Sequence, residues 1–134
     1  MHGNDCIFYL LSRSARRSAR FYKKQLEGLG LTPVQSMVLQ ALALQDGCTT
    51  SQLSKASELD NATLTGVLDR LSPAGYLERR ASPEDRRTQH ILLTEQGRSI
   101  ASLLDSLTED ANSKFLSGLN DDDKDELKAF LRRF

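Results

Sequence analysis

The residues best suited to binding chemistry are arginines around a short turn between positions 79 and 87. This stretch contains four arginines against two acidic residues. Arginine carries a permanent charge and a planar fork of donors, which suits phosphate oxygens and the narrow, electronegative minor groove of DNA. Residues 76–80 and 88–93 flank the turn as extended runs and predict a β-hairpin. The pattern therefore predicts a hairpin whose basic tip can contact nucleic acid.

An acidic residue, Asp85, stands two positions before Arg87 in that turn. A carboxylate at this spacing can hold the guanidinium by a charge-assisted hydrogen bond, which lowers the ordering cost when the arginine binds a partner. The alternative is an exposed ion pair that contributes at most about 1 kcal/mol to stability. Considered without the neighbouring segments, Asp85 and Arg87 are expected to form only an exposed ion pair. If a DNA-binding helix precedes the turn, a role of Asp85 in orienting Arg87 is favoured.

A helical pattern over residues 61–72 has an unusual polar side. Its apolar stripe follows i, i+3, i+4, i+7 spacing and consists of Leu64, Val67, Leu68 and Leu71. The opposite side, with Asn61 and Thr63 at its edges, carries Ala62, Thr65, Gly66, Asp69 and Arg70. Small side chains let a backbone approach another surface closely, and Ala or Thr methyl groups can contact a thymine methyl in the major groove. We interpret this segment as a DNA recognition helix.

The residues before this helix predict the rest of a helix-turn-helix. Thr49 and Gln52 form a capping box that begins a short helix, and residues 57–60 leave room only for a tight turn. In such a motif the first helix braces the second against the duplex. Helix pairs with short turns also occur in ordinary α-helical proteins. An arginine-tipped hairpin directly after a helix-turn-helix is the arrangement called a winged helix, in which the hairpin is the wing. The predicted hairpin therefore favours a DNA-binding winged helix over an ordinary helix pair.

The flanking segments predict long helices. Residues 5–28 form one helical pattern with six basic residues and no acidic one between Ser12 and Gln25. This basic stripe is either a solvated face, which is the usual case, or a contact with phosphate or with an acidic segment of another subunit. A capping box at Thr32 and Gln35 begins a helix that is apolar almost all round and is expected to be buried.

The C-terminal part predicts a long helix after Thr94 and a last helix with three aspartates in its first turn. The last helix ends in an apolar stripe of Leu127, Phe130, Leu131 and Phe134. Because the central residues already supply a core, this stripe needs another surface, and a second copy of the chain is the simplest candidate. The expected fold is mainly α (α+β): a winged helix-turn-helix with long N- and C-terminal dimerisation helices.

Composition excludes several classes of function. The chain has 134 residues and zero net charge, so one domain is expected and any nucleic-acid contact must come from local basic patches. The absence of an 18-residue apolar run and of a signal-peptide layout indicates a cytoplasmic protein without a membrane partner. The cysteines and histidines have neither metal-ligand spacing nor a catalytic constellation around them: Cys6, Cys48, His2 and His90. We therefore expect no enzyme, no metal and no cofactor.

Five groups of residues resemble motifs of the multiple antibiotic resistance regulator (MarR) family. They are LTPVQ at 31–35, NATLT at 61–65, DRL at 69–71, GYLER at 75–79, and SPEDRR at 82–87 with LTEQG at 93–97. The most specific part is Asp85-x-Arg87 followed by Leu-Thr-x-x-Gly. The resemblance covers nearly the whole chain.

The resemblance implies one MarR-type domain over residues 1–134. Dimerisation helices are expected at 5–30 and 98–134, where they interlock with those of a second copy, and a winged-helix lobe is expected at 32–97. The family generally represses transcription by binding pseudo-palindromic operators in double-stranded DNA. It releases them on a small-molecule signal, often an aromatic acid, or on an oxidant. The competing hypothesis is a winged-helix protein-interaction module without sequence-specific DNA binding.

Matching by motif assigns expected roles to individual residues. Arg87 corresponds to the wing-tip arginine that enters the minor groove, and Asp85 to the residue that orients it. The expected DNA-binding set consists of Thr50, Ser51, Asn61, Thr63, Thr65, Arg70, Arg79, Arg86 and Arg87.

A subgroup of the family senses organic hydroperoxides through a cysteine near the start of the first helix. Cys6 and Tyr22 are similar to residues of that group, although without a gap the sensing cysteine aligns at Phe8. Two residues correspond to about 200° around a helix, so Cys6 faces elsewhere. An unreactive thiol is the favoured interpretation and a redox sensor is the alternative. Cys48 is expected to be structural.

Overall fold

The structure is a computed structural model that describes residues 3–134. In this range the chain forms six α-helices and three strands, with short 3-10 helices at Gly3–Asp5 and Glu27–Leu29. In chain order they are α1 (Ile7–Leu26), α2 (Pro33–Leu44), β1 (Cys48–Thr49), α3 (Thr50–Ser57), α4 (Asn61–Leu71), β2 (Leu77–Ala81), β3 (Gln89–Leu93), α5 (Glu95–Phe115) and α6 (Asp121–Leu131). The mainly α winged-helix fold expected from the sequence is confirmed. His2 lies outside the described residues.

Two compact units make up the chain, and we describe each by itself. The central unit consists of residues 26–106, and the terminal unit combines residues 1–25 with residues 107–134. None of the helices formed by residues 3–134 combines the length and the apolar character needed to span a bilayer.

The core of the central unit is aliphatic and is contributed by α2, α3, α4, β3 and α5. Its fully buried side chains include Leu39, Leu42, Leu53, Leu64, Leu71, Ile91 and Leu104. The expectation that α2 is buried all round is wrong for one side, because Met37 is 52% exposed and Leu44 is 91% exposed. The reason is geometric: these residues lie two turns apart on one face of α2, while Val38, Leu39 and Leu42 point to the core.

Both predicted capping boxes are present. Thr32 Oγ1 accepts from the Gln35 backbone N–H at 3.2 Å, and the Gln35 side chain accepts from the Thr32 N–H at 3.0 Å. Thr49 and Gln52 repeat the arrangement at 3.1 and 2.9 Å. Each pair satisfies backbone donors that the first helical turn leaves without partners. These local signals therefore fix where α2 and α3 begin.

The recognition helix α4 ends in a turn that Pro73 and Gly75 shape together. The Gly75 N–H donates to the Ser72 carbonyl and the Tyr76 N–H to the Leu71 carbonyl, at 3.0 and 3.2 Å. Gly75 has φ +87°, the left-handed conformation that closes such a C-terminal motif. This turn directs the chain into β2.

A small antiparallel sheet in the order β1-β3-β2 completes the central unit. The predicted hairpin is present, with Leu77 opposite Leu93 and Ala81 opposite Gln89. Strand β1 was not predicted, because two residues are too short to produce a periodic pattern. It pairs Cys48 with Ile91 and Thr49 with His90. The start of α3 is thereby fixed against β3 of the hairpin.

The terminal unit contains most of α1, the end of α5 and α6. The rings of Phe21 and Phe115 lie 5.2 Å apart between centroids, and Tyr22 Oη and Thr108 Oγ1 are 2.8 Å apart. Many other large apolar side chains of this unit are exposed: Ile7, Phe8, Tyr9, Leu10, Leu11, Leu119, Leu127, Phe130, Leu131 and Phe134. The apolar stripe predicted for the last helix therefore faces outward in a single chain.

Candidate nucleic-acid interface

The face of α4 that the sequence predicts to be free is exposed. Ala62, Thr65, Gly66, Asp69 and Arg70 are exposed, as are Asn61 and Thr63. On the opposite stripe Leu64, Leu68 and Leu71 are buried and Val67 is half-buried. A Cβ atom built at Gly66 would meet no atom within 4 Å. The fold of the central unit thus gives no reason for a glycine inside this helix, where it costs about 1 kcal/mol relative to Ala. A smooth surface suited to close approach is left at the middle of α4.

The first turn of α4 is organised by Asp60. Its Oδ1 accepts from the Thr63 backbone N–H at 2.7 Å, and its Oδ2 accepts from the Thr63 hydroxyl at 3.0 Å. The backbone hydrogen bond from Thr63, followed by the hydroxyl bond, lowers the pKa of Asp60. The capping carboxylate therefore stays ionised at neutral pH, and it engages the hydroxyl of a predicted contact residue.

Arg79 differs from the other predicted contacts because its guanidinium is held by α4. Its Nη2 lies 2.7 Å from Asp69 Oδ1, and the two side chains are 27% and 59% exposed. The Nε atom is buried and has no hydrogen-bond partner. Arg79 thus joins β2 to the recognition helix, a contact that sequence analysis missed because it crosses two elements.

The wing tip between β2 and β3 is a tight, hydrogen-bonded turn. The Ser82 N–H donates to the Thr88 carbonyl at 2.8 Å, and the Thr88 N–H donates to the Asp85 carbonyl at 3.0 Å. Asp85 Oδ1 accepts from the Arg87 backbone N–H at 2.9 Å, while the Arg87 Nε lies 3.8 Å away. Asp85 therefore orients Arg87 chiefly through the backbone, whereas the sequence suggested a direct grip on the guanidinium. Arg86 is exposed, and the Arg87 side chain is 96% exposed.

Thr50 and Ser51 lie beside the wing tip, where it enters β3. Together with Arg87, Thr88 and Gln89 they line an open cavity of about 320 Å³. The β1–β3 pairing brings them together, because it places the start of α3 beside the end of the wing. Hydroxyl groups, the backbone amides of a helix start and an arginine are groups that bind phosphate. The structure thus groups Thr50, Ser51 and Arg87, which the sequence separates by more than 30 positions.

The two cysteines lie in different surroundings. Cys48 is 3% exposed, and burial raises the pKa of its thiol, which keeps it protonated and unreactive. Cys6 is half-buried and immediately precedes α1, where its carbonyl accepts from the Leu10 N–H at 3.0 Å. Tyr22 lies 16 residues further along this helix. At 1.5 Å per residue that is about 24 Å, so Tyr22 of the same chain cannot contact the Cys6 thiol.

Among residues 3–134, no three His, Cys, Asp or Glu side chains are arranged to hold a metal ion. His90 instead has its Nδ1 2.8 Å from the Gly47 carbonyl, where it supports the β1–β3 pairing.

Comparison with known proteins places this geometry in a family. The sequence profile of the MarR family matches residues 31–88, from the capping box of α2 to the end of the wing tip. The chain is 34% identical to the organic hydroperoxide resistance transcriptional regulator of Bacillus subtilis over 68% of this chain and 62% of that protein.

Two solved structures carry the comparison over the whole fold. BpsR of Bordetella bronchiseptica, whose DNA binding is regulated by 6-hydroxynicotinic acid, superposes with a TM-score of 0.93 at 28% identity, over 99% of this chain and 95% of that chain. A mutant of MarR from E. coli in complex with operator DNA superposes with a TM-score of 0.86 at 27% identity, over 92% and 89% of the two chains. The chain has an exposed recognition helix and an arginine wing, its sequence matches the family profile, and its fold superposes on both of these structures. This chain belongs to the MarR family of winged helix-turn-helix transcriptional regulators.

Proposed function

We propose that this protein is a dimeric transcriptional repressor that binds a pseudo-palindromic operator. The observation that carries the proposal is the exposed small-residue face of α4 within one compact unit that also presents an arginine wing. An α-helix fits the major groove, and arginine suits the adjacent minor groove. The relative from E. coli in complex with operator DNA supports this function.

Local charge supplies the attraction to DNA that the neutral chain as a whole does not. Arg70, Arg86 and Arg87 are exposed on the central unit and can neutralise phosphates. Thr50 and Ser51 add neutral donors at the start of α3. Arg79 has a different role in this proposal: it fixes the angle between the wing and α4, and its contact with DNA is secondary.

A second copy of the chain completes the DNA-binding form. Residues 5–30 and 98–134 are proposed as the dimerisation helices, supported by the exposed apolar side chains of the terminal unit. A twofold-symmetric dimer presents two recognition helices about 34 Å apart, one helical turn of DNA. Because the dimer is symmetric, its expected binding site is an inverted repeat.

The signal that releases the operator is proposed to be a small aromatic acid or an oxidant. The regulation of BpsR by 6-hydroxynicotinic acid supports the first, and the B. subtilis hydroperoxide resistance regulator supports the second. An oxidant-sensing role for Cys6 would need Tyr22 from a second copy, because the two residues lie far apart along one helix. The protein is proposed to act in the cytoplasm and to catalyse no reaction.

Replacing Arg87 with Ala tests the proposed function. We expect the affinity for an inverted-repeat duplex to fall about 10- to 100-fold, because the wing loses its exposed minor-groove cation. Affinity is measured by gel shift at fixed salt with DNA from upstream of the gene. Arg98→Ala is the charge-matched control, since Arg98 on α5 forms an ion pair with Asp46. An equal loss in both variants would remove the wing from the mechanism.

A second expectation concerns Gly66. Gly66→Ala should raise the free energy of unfolding by about 0.5–1 kcal/mol, because alanine is the better helix former and its methyl group meets nothing in the chain. The same methyl group would stand between α4 and the groove, so DNA affinity should fall about fivefold or more. Urea unfolding and gel shift measure the two effects. Gly28→Ala, also without neighbours within 4 Å, is the control that leaves DNA affinity unchanged.

A further inference from the structure

The hydroxyl group of Thr63 has its hydrogen-bonding direction fixed by the fold. A threonine hydroxyl has one proton to donate and two lone pairs, and a free one rotates to suit either kind of partner. Here the neighbouring group is the Asp60 carboxylate, whose Oδ2 lies 3.0 Å from Thr63 Oγ1. An ionised carboxylate can only accept, so the single hydroxyl proton points at Asp60. What Thr63 Oγ1 offers to any other molecule is lone pairs.

Two features of the structure keep the Thr63 hydroxyl proton directed at Asp60. Asp60 Oδ1 is anchored by the Thr63 backbone N–H at 2.7 Å, so the carboxylate cannot turn away without uncapping α4. These hydrogen bonds also lower the pKa of Asp60, which excludes the protonated form that could donate to Thr63. Both residues are exposed at the start of the recognition helix. The N-terminal residues of such a helix are those that reach base edges.

We propose that Thr63 reads its base as an obligate hydrogen-bond acceptor and thereby selects an amino base, adenine or cytosine, on the strand it contacts. Adenine N6 and cytosine N4 are the donors in the major groove, whereas thymine O4 and guanine O6 and N7 are acceptors; adenine also carries one acceptor, N7. Every base pair presents one amino and one keto base, so the selection is for the strand on which the amino group lies. Asp60 acts through Thr63 as a positioning residue and contacts no base itself. This inference rests on the proposed DNA-binding function.

The Asp60→Asn variant reverses the direction of the hydrogen bond between residue 60 and Thr63 Oγ1. Asparagine is as good an N-cap as aspartate, so its side-chain oxygen keeps the bond from the Thr63 N–H. Its amide nitrogen then takes the place of Oδ2 and donates to Thr63 Oγ1. The hydroxyl proton is released to point outward, and Thr63 can donate to guanine, to thymine or to adenine N7. Cytosine, which has no acceptor on this edge, becomes the disfavoured base. The lost negative charge raises affinity for all duplexes alike and leaves the comparison between bases unaffected.

The test uses a pool of duplexes with randomised inverted-repeat half-sites, selected by binding to the purified dimer at fixed salt and sequenced. Thr63→Val, which keeps the shape and loses the hydroxyl, identifies the position that Thr63 reads as the one whose preference disappears. We expect the parent protein to prefer amino over keto bases there by about 3- to 10-fold, the effect of one hydrogen bond. Asp60→Asn should turn cytosine from a preferred base into the disfavoured one. Ser117→Ala, which removes an exposed hydroxyl from the terminal unit, is the control that should leave the preference unchanged.

Each alternative outcome has a definite meaning. The inference is overturned, while the proposed function stands, if Thr63→Val alters the sequence enrichment at no position. It is likewise overturned if Asp60→Asn keeps the parent's preference for cytosine over guanine and thymine. Failure of the parent protein to enrich any duplex overturns both. Circular dichroism and thermal unfolding of each variant establish that α4 is still formed, so a change of preference is not a consequence of unfolding.

Discussion

Replacing Phe130 and Leu131 together with Asp is expected to convert the dimer to a monomer and to lower operator affinity more than 100-fold. The two side chains are 48% and 54% exposed in a single chain, so the substitution should leave the protomer folded. In the proposed dimer the same side chains would be covered, and burying carboxylates there without partners is costly. Once the subunits separate, each recognition helix binds its half-site alone, and the gain from linked binding, about 10²- to 10⁴-fold, disappears.

Size-exclusion chromatography with light scattering gives the mass of the particle, and gel shift gives the affinity. Ser117→Asp adds a carboxylate at an exposed polar position of the same terminal unit and should alter neither. A Phe130→Asp, Leu131→Asp variant that remains dimeric would show that this part of α6 lies outside the interface. A monomeric variant that binds the inverted repeat as tightly as the parent would show that dimerisation is not needed for recognition.

The terminal unit also shows a charge pattern that fits a partner copy. Six basic residues on α1 have no acidic neighbour in sequence, and the first turn of α6 carries Asp121, Asp122 and Asp123. Exposed ion pairs contribute little individually, so in the proposed dimer the apolar side chains would supply most of the free energy of association. The charges can still determine which of the faces meet, because like charges placed opposite each other are disfavoured.

Sequence analysis could identify elements whose signals are local. The capping boxes at Thr32 and Thr49 each lie within four residues, and the i, i+3, i+4, i+7 stripe of α4 lies within eight. Such signals depend only on neighbours along the helix, which is why the starts of α2, α3 and α4 were predicted correctly. The exposed side of α4 followed from the same periodicity.

Features that depend on contacts between elements could not be predicted in this way. The Arg79–Asp69 pair joins a strand to a helix across the turn at Gly75, and no spacing rule distinguishes Arg79 from Arg80 or Arg86. Strand β1 exists only because β3 lies beside it. The grouping of Thr50 and Ser51 with Arg87 follows from that pairing and was therefore missed as an arrangement, although each residue was named.

Gly97, the glycine of the Leu-Thr-x-x-Gly signature, lies where close packing leaves no room for a side chain. A Cβ atom at this position would lie 1.9 Å from the Tyr76 carbonyl oxygen and 3.1 Å from Leu93 Cδ2. The same turn is bound through Thr94, whose N–H donates to the Tyr76 carbonyl at 3.1 Å and whose hydroxyl donates to the Gly75 carbonyl at 2.6 Å. The start of α5 is thus held directly against the turn that ends α4.

Gly97→Ala should therefore lower the free energy of unfolding by about 3 kcal/mol or more, with a fall in Tm of about 10 °C. The clash is with backbone, so α5 must move away and the hydrogen bonds of Thr94 to the Gly75–Tyr76 turn are lost. Thermal and urea unfolding measure the effect, and Gly66→Ala, where a Cβ atom meets nothing, should move stability in the opposite direction. DNA affinity should also fall, because the displaced turn connects α4 to the wing. Unchanged stability would mean that α5 can shift freely, and the signature would then need a different explanation.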